Sequence, residues 1–188
     1  LSTPAASNLI RVNKAIAGII LSASHNPGGL DGDFGVKVNV SNGGPAPEII
    51  TNNIFKKTQS LTTYKFCEFK IPDLDKCGFH KLQQIHLEII DGVEDYVSLM
   101  ENIFDLNKIS DFVKNDFQIV FDAMNAVTGP YARKIFIEKI GLSEDSLMNS
   151  IPLTDFGGLH PDPNLTYADK LADLLLNKKK YSFGAACD

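Results

Sequence analysis

Hydrophobic and polar positions along the first half of the chain follow two different spacings. Short apolar runs and strict alternation predict strands over residues 17–22, 36–40, 64–69 and 85–90. Apolar residues at helical spacing predict helices that begin at Thr3, Glu48 and Gly92, with the Thr3 hydroxyl capping the first. Valines alternate with polar residues over 36–40, so this strand should be half-buried, with Lys37 on its polar side.

The second half alternates strands with helices. Strands are predicted over residues 117–121 and 181–187, and helices over 129–140 and 167–180. This alternation is typical of sheets that are covered by helices. We therefore expect an α/β fold with mixed or parallel sheets sandwiched by helices. A boundary near Asp105 would divide it into two consecutive α/β domains, residues 1–104 and 105–188.

The composition is that of an ordinary globular protein, with 44% hydrophobic and 22% charged residues among 188. A net charge of −5 argues against a nucleic-acid partner, because such proteins carry a basic face. No apolar run approaches the length of a membrane span. The scattered cysteines disfavour a disulfide framework and a zinc site, and predict a cytoplasmic protein. Since the chain starts at Leu1 and stops at Asp188, directly after a predicted strand, we expect a fragment of a longer protein.

The first predicted strand stops abruptly at the loop Ser24-His25-Asn26-Pro27-Gly28-Gly29. Loops at the carboxyl ends of strands are where open α/β sheets place ligands. Ser24 is a candidate nucleophile that could carry a phosphoryl group, with the His25 imidazole beside it and glycines that free the backbone to approach an anion. A turn with a capping serine and a surface histidine explains the residues equally well. Ser22 is a second candidate nucleophile, although it lies within the apolar alternation of the strand.

Two further side chains could serve a phosphoryl site. Lys37 stands on the strand after the loop and could stabilise charge or carry a proton there, or could be a solvated lysine. Asp188 ends an apolar strand, which is a common position for a Mg²⁺ ligand. The remaining loop carboxylates are expected to form turns: Asp31, Asp33, Asp122, Asp155 and Asp162. His160 is expected to make a structural hydrogen bond, and His80 and His86 show no partner pattern.

Several motifs in the chain occur together in one known family. They are residues 22–29, 32–37, 41–47, 122–124, 129–131 and 155–167. With these motifs the chain resembles the α-D-phosphohexomutases, in the eukaryotic phosphoglucomutase branch that includes parafusin-like proteins. The likeness extends over essentially the whole chain. Members often have threonine where this chain has Ser22.

The resemblance implies two consecutive phosphohexomutase-type domains, with further domains outside this chain. It implies that Ser24 is the phosphorylated residue and that His25 and Lys37 surround it. It also implies that Mg²⁺ is held by Asp188, as the first aspartate of the family's metal loop, together with the phosphate on Ser24. The other aspartates of that loop are not in this chain.

The reaction implied by the resemblance interconverts glucose 1-phosphate and glucose 6-phosphate through glucose 1,6-bisphosphate, so the partner is a hexose phosphate. The isolated chain is expected to be inactive, because the segments that recognise the sugar belong to later domains. Two other functions remain open. One is a mutase for another hexose, such as mannose phosphate or N-acetylglucosamine phosphate. The other is a non-catalytic scaffold or trafficking protein of the same family. The sequence gives no oligomeric state.

Overall fold

A computed structural model describes residues 1–26, 30–66 and 68–188. The helices are α1 (Thr3–Val12), α2 (Glu48–Gln59), α3 (Gly92–Ile103), α4 (Leu106–Val113), α5 (Gly129–Ala132, continued as a π-helix over Arg133–Lys139) and α6 (Asp169–Leu176). The strands are β1 (Ala17–Leu21), β2 (Val36–Val40), β3 (Gly78–Leu82), β4 (Ile85–Ile89), β5 (Ile119–Asp122), β6 (Leu147–Met148) and β7 (Phe183–Ala186). None of these helices is long and apolar enough to cross a membrane.

The first helix begins as the sequence predicts, but its cap is one residue earlier. Ser2 has an extended backbone, and its hydroxyl accepts a hydrogen bond from the Ala5 N–H at 3.3 Å. Thr3 is already helical and cannot act as the cap. Helix α1 packs on α3, where the buried Asn8 side chain donates to the carbonyl of Asp95 at 3.2 Å.

Strands β1 and β2 form an antiparallel pair whose two faces differ in burial. The polar face points toward α1, where Asn39 is only 2% exposed and donates to the Gly43 carbonyl at 2.9 Å. The valine-bearing face is the open one, with Ile19 73% exposed and Val36 59% exposed. The strand prediction over 36–40 is confirmed. However, the polar face is covered at Asn39, because that side chain has hydrogen-bond partners there, whereas Lys37 on the same face is exposed.

A second antiparallel pair, β3 with β4, follows in the chain. The sequence predicted β4 but not β3, and its short strand over 64–69 is wrong for residues 64–66 and 68–69, which form no strand. Cys67 lies outside the described residues. Tyr64 is 85% exposed and Phe66 is 75% exposed, so alternation here does not reflect one buried face.

The second half contains a parallel sheet in the order β6-β5-β7. Val120 of β5 is fully buried and packs with Met124, Ala168 and Leu171, so helix α6 closes one face. The predicted α/β fold is confirmed, and this sheet is parallel as expected. The two earlier ladders are antiparallel, so none of the described sheets mixes the two directions. Strand β6 was not predicted because two residues show no alternation.

Helix α4 was also absent from the prediction. Its first turn is capped by the Asp105 carboxylate, which accepts from the Lys108 N–H at 3.1 Å. The cap falls at the residue where the sequence suggested a domain boundary. That boundary stays a prediction.

The two halves of the chain contact each other through α3 and α5. The rings of Tyr96 and Tyr131 meet edge to face at 5.4 Å between centroids, and the Tyr131 hydroxyl accepts from the Ser2 N–H at 3.1 Å. Lys134 pairs with Glu94 at 2.7 Å, which attaches the π-helical turn to α3. The carboxylates of Glu138 and Glu94 raise the pKa of Lys134 above its ordinary value.

Candidate functional site

Ser24 lies directly beyond β1, where the backbone turns out of the strand. It adopts a left-handed conformation with φ of 56°, and its N–H donates to the Ser22 hydroxyl at 3.0 Å. The Ser24 hydroxyl is exposed and lies 3.4 Å from Nδ1 of His25. Ser22 therefore supports the turn that presents Ser24.

The loop that carries Ser24 is held together at both of its ends. Ser22 and Gly35 exchange two backbone hydrogen bonds, of 3.0 and 3.1 Å, just beyond the β1–β2 ladder. A Cβ on Gly35 would collide with the Ser22 carbonyl oxygen, so this close approach requires glycine. Farther out, the Asn26 amide donates to Asp33 at 2.7 Å. The sequence treated Asp33 only as a turn former and missed this bond across the loop.

The sequence suggested that glycines of this loop let the backbone approach an anion, and two of them, Gly28 and Gly29, follow Pro27. These three lie outside the described residues.

A cavity of about 750 Å³ lies in front of the loop. It is bordered by Ser24, Lys37 and Asp188, so the structure brings these predicted residues to one space. Lys37 stands opposite Ile20 in the β1–β2 ladder. His25 is not among the residues that line the cavity, although its Nδ1 is close to the Ser24 hydroxyl. The opposite wall comes from the parallel-sheet half, including Thr128, Tyr131 and Phe136.

Asp188 reaches the cavity because the chain leaves the sheet at the carboxyl end of β7. The Cys187 N–H donates to the Asp122 carbonyl at 3.0 Å, and the Cys187 carbonyl accepts from the Thr128 hydroxyl at 3.0 Å. These bonds fix the backbone just before Asp188. Burial, with a contribution from the Asp188 charge, raises the pKa of the half-buried Cys187 thiol.

Asp122, which the sequence placed in a loop, is instead the last residue of β5, and its carboxylate bonds within the protein. The Asp122 carboxylate is only 3% exposed and accepts from the Met124 N–H at 2.8 Å and from the Asn149 amide at 2.9 Å. Met124, Asn125 and Asn149 all have left-handed backbones, with φ of 52°, 55° and 47°. Asp122 thus shapes the carboxyl edge of the parallel sheet instead of being available to a ligand.

Among the described residues, Asp188 is the side chain placed to contribute to a metal site on this cavity. They contain no cluster of three or more His, Cys, Asp or Glu side chains that could hold an ion. Asp188 nevertheless places a hard carboxylate donor on the cavity that Ser24 borders, and a phosphate on Ser24 would add further oxygens. This donor chemistry fits Mg²⁺ as part of a ligand set.

His160 differs from its prediction. Its buried Nδ1 has no hydrogen-bond partner among the described residues, so the expected structural bond is not seen at that atom. The ring stacks on Tyr167 with centroids 4.5 Å apart and lies 6.0 Å from the His25 ring. The sequence gave no signal that His160 and His25 meet, because 135 residues separate them. His80 and His86 belong to the β3–β4 pair.

Comparison with known proteins supports the resemblance. Residues 1–65 match the family model for phosphoglucomutase/phosphomannomutase, alpha/beta/alpha domain I. The whole chain is 50% identical to a phosphoglucomutase of Emericella nidulans and covers 34% of that protein. It is 48% identical to Phosphoglucomutase 1 of Drosophila melanogaster, again over the whole chain and 35% of the relative. The chain therefore spans about a third of the length of these curated relatives.

Solved structures share the fold. The open form of the exocytosis-sensitive phosphoprotein pp63/parafusin from Paramecium, a phosphoglucomutase, matches the whole chain and 37% of its own length, with a TM-score of 0.90 and 43% identity. A phosphomannomutase-type protein of Thermus thermophilus matches with a TM-score of 0.74 at 24% identity, which bears on the fold alone. The chain is therefore similar along its whole length to part of the phosphoglucomutases, and its motifs and fold agree with that family.

Proposed function

We propose that this chain carries the phosphoserine site of a phosphoglucomutase, which interconverts glucose 1-phosphate and glucose 6-phosphate. The observation that carries the proposal is the single cavity bordered by Ser24, Lys37 and Asp188. A nucleophile, a cation and a carboxylate around one space are the parts that phosphoryl transfer requires.

In the proposed reaction, phosphorylated Ser24 is the donor. The bond between its Oγ and phosphorus breaks while a new bond forms between phosphorus and a free hydroxyl oxygen of the hexose phosphate, whose proton leaves to a base. The Ser24 oxygen takes up a proton as its bond breaks, so the products are glucose 1,6-bisphosphate and a free Ser24 hydroxyl. After the bisphosphate turns around, the Ser24 oxygen loses its proton and attacks the other phosphorus. The bond from that phosphorus to the sugar oxygen breaks, the sugar oxygen takes up a proton, and the phosphoserine is restored.

The neighbouring side chains have distinct proposed roles. A phosphoserine carries a charge of roughly −1.5 to −2 at neutral pH, and Lys37 would offset part of it from across the cavity. His25 lies 3.4 Å from Ser24 Oγ and is placed to exchange a proton with that atom. Mg²⁺, held by Asp188 and the phosphate, would supply further charge neutralisation when bound.

The rest of the proposal concerns what lies beyond this site. Because the chain spans about a third of its relatives, we propose that the sugar is recognised by other parts of the complete protein and that residues 1–188 alone are inactive. We also propose two domains that meet near Asp105. A cytoplasmic location is proposed from the scattered cysteines, with plastids as the alternative, since a potato relative is named chloroplastic.

The decisive experiment replaces the proposed nucleophile in the complete protein that carries this chain. Ser24→Ala should lower mutase turnover by at least about a thousandfold, because the covalent step has no other acceptor. Ser22→Ala is the matched control and should retain most of the activity. Intact-mass analysis of the native protein should find one phosphate, which peptide mapping assigns to Ser24. Retained turnover in Ser24→Ala, or phosphate on Ser22, would contradict the proposal.

A second candidate function is suggested by one similar structure, that of an exocytosis-sensitive phosphoprotein. In that case the chain would carry phosphoserine without turnover and act as a scaffold or trafficking protein. Assaying the complete protein with glucose, mannose and N-acetylglucosamine 1-phosphates separates the functions. Turnover of glucose 1-phosphate supports the mutase, turnover of another sugar assigns a different substrate, and phosphorylation without turnover supports the scaffold.

A further inference from the structure

The rings of His25, His160 and Tyr167 form a row that begins next to Ser24. The His25 and His160 centroids lie 6.0 Å apart with planes tilted by 37°, and His160 stacks on Tyr167 at 4.5 Å with planes within 13°. Both spacings fall in the range of aromatic contacts. The row therefore connects the residue next to Ser24 with the turn that precedes α6.

The far end of the row is well anchored. The Asn164 side-chain oxygen accepts from the N–H groups of Thr166 and Tyr167, at 2.9 and 3.2 Å, and the Asn164 amide donates to Asp162 at 2.6 Å. The next residue, Ala168, belongs to the buried cluster of the parallel-sheet half. The Tyr167 and His160 rings are thus fixed to the parallel-sheet half, whereas His25 belongs to the hairpin half.

The His160 ring is held by packing against its neighbours and not by a hydrogen bond at its Nδ1. That nitrogen is buried and has no partner in the part of the chain that the structure describes. An unpaired buried nitrogen is unfavourable, so its retention needs an explanation. The flat ring supplies one: it lies between His25 and Tyr167 and contacts both rings.

We infer that His160 is a positioning residue, which with Tyr167 holds the His25 imidazole beside the Ser24 hydroxyl. This inference rests on the proposed function, since it assigns His25 a task at Ser24. His25 is only 3.4 Å from Ser24 Oγ, and proton exchange at that atom depends steeply on distance and angle. His160 acts through the shape of its ring, since it is not among the residues that line the cavity.

The test compares ring and non-ring substitutions in the complete protein. His160→Ala should lower kcat by about 10- to 100-fold with a KM change below about threefold, because His25 loses its support while sugar binding is untouched. His160→Phe keeps the planar ring and removes the unpaired nitrogen, so it should retain kcat within about threefold and unfold at a higher temperature. His86→Ala is the matched control on exposed β4 and should change neither quantity.

A spectroscopic readout separates positioning from general damage. With ¹³C at the histidine Cε1 positions, the His25 signal should shift or broaden in His160→Ala and stay unchanged in His160→Phe. If the alanine variant does not fold, His160→Leu, which fills the space without a flat ring, gives the same comparison. Loss of kcat in His160→Phe with an unmoved His25 signal would show that the nitrogen matters and would overturn the inference.

The same measurement separates this inference from the proposed function. If the unaltered protein has no mutase turnover, the proposed function fails, yet the His25 signal still reports whether His160 positions it. If turnover is present and neither kcat nor the His25 signal responds to His160→Ala, the inference alone is wrong.

Discussion

The two sheets that meet around the cavity are packed to very different degrees. In the parallel sheet, Val120 is fully buried and Leu171 covers it with 6% exposure. In the antiparallel pair, α1 covers one face, and the other leaves Ile19 and Leu21 73% and 64% exposed. Ser24 belongs to the second sheet and Asp188 to the first. The proposed phosphoryl donor, Ser24, thus follows a sheet with one open face, whereas the proposed metal ligand, Asp188, follows a sheet with a packed core.

This difference in packing shows that the sequence of a strand does not reveal how deeply the strand is buried. Both β1 and β5 are short and apolar, and a one-sequence analysis treats them alike. Burial depends on which elements the fold brings over each strand. Helix α6 lies over the parallel sheet, whereas no described residue buries the valine-bearing face of β1 and β2.

The largest predicted effect tests this difference in packing directly. Leu171→Ala should lower the free energy of unfolding of the chain by about 2–5 kcal/mol, because it leaves a cavity in the packed core. Ile19→Ala, the matched large apolar residue in the open pair, should cost less than about 1 kcal/mol. Urea unfolding measures both. Similar losses in the two variants would show that the face carrying Ile19 is covered after all.

A smaller effect is expected at the base of the Ser24 loop. Gly35→Ala should cost about 1–3 kcal/mol, because the added methyl group meets the backbone oxygen of Ser22, which cannot rotate away. Gly44→Ala is the control in the same hairpin, since its new Cβ would meet the movable Asn42 side chain at 3.1 Å. Thermal unfolding and phosphate content on Ser24 should both fall in Gly35→Ala only. Equal behaviour of the two variants would contradict the close-approach argument.

The smallest effect concerns Asp105, at the junction of the two halves. The Lys108 N–H, which donates to its carboxylate, lowers the pKa of Asp105 below its ordinary value of 3.8. A lowered pKa in the folded state stabilises the fold above pH 3.8, and this contribution is lost as the pH falls through the folded pKa. Asp105→Ala should therefore lower the melting temperature at pH 7, by a margin that shrinks below pH 3.8.

Asp105→Asn is the control for that measurement, because it keeps the capping oxygen but not the charge. It should melt between the other two proteins at neutral pH. A difference between Asp105→Ala and the unaltered chain that stays constant with pH would assign the effect to the cap alone.

Most of the fold could be predicted because the spacing of apolar residues within a single helix or strand can be seen in the sequence itself. The amphipathic helix over 92–104 and the strand over 85–90 are confirmed nearly to their ends. Residues 64–69 show why the same signal fails, since their alternation is not matched by a sheet partner among the described residues. Strand β6 was missed for the opposite reason. Its two residues are too few to show a periodic pattern, and only their pairing with β5 makes them a strand.

The candidate site divides along a similar line. Ser24 and Asp188 could be found because each ends an apolar run, and chain order alone marks such positions. Their shared cavity could not, since it depends on the contact between the halves through Tyr96 and Tyr131. The contact between the His160 and His25 rings was missed, because residues so far apart in the sequence leave no local pattern.

The left-handed backbone of Ser24 has a consequence for phosphomimetic variants. A non-glycine residue in this region is strained by roughly 1–2 kcal/mol, and φ is 56° at Ser24. Aspartate tolerates this region better than serine, and its charge is smaller than the roughly −1.5 to −2 of a phosphoserine. Ser24→Asp would thus relax the turn while mimicking only part of the modification. Ser24→Asn, which relaxes the turn without any charge, is the reference against which such a mimic has to be judged.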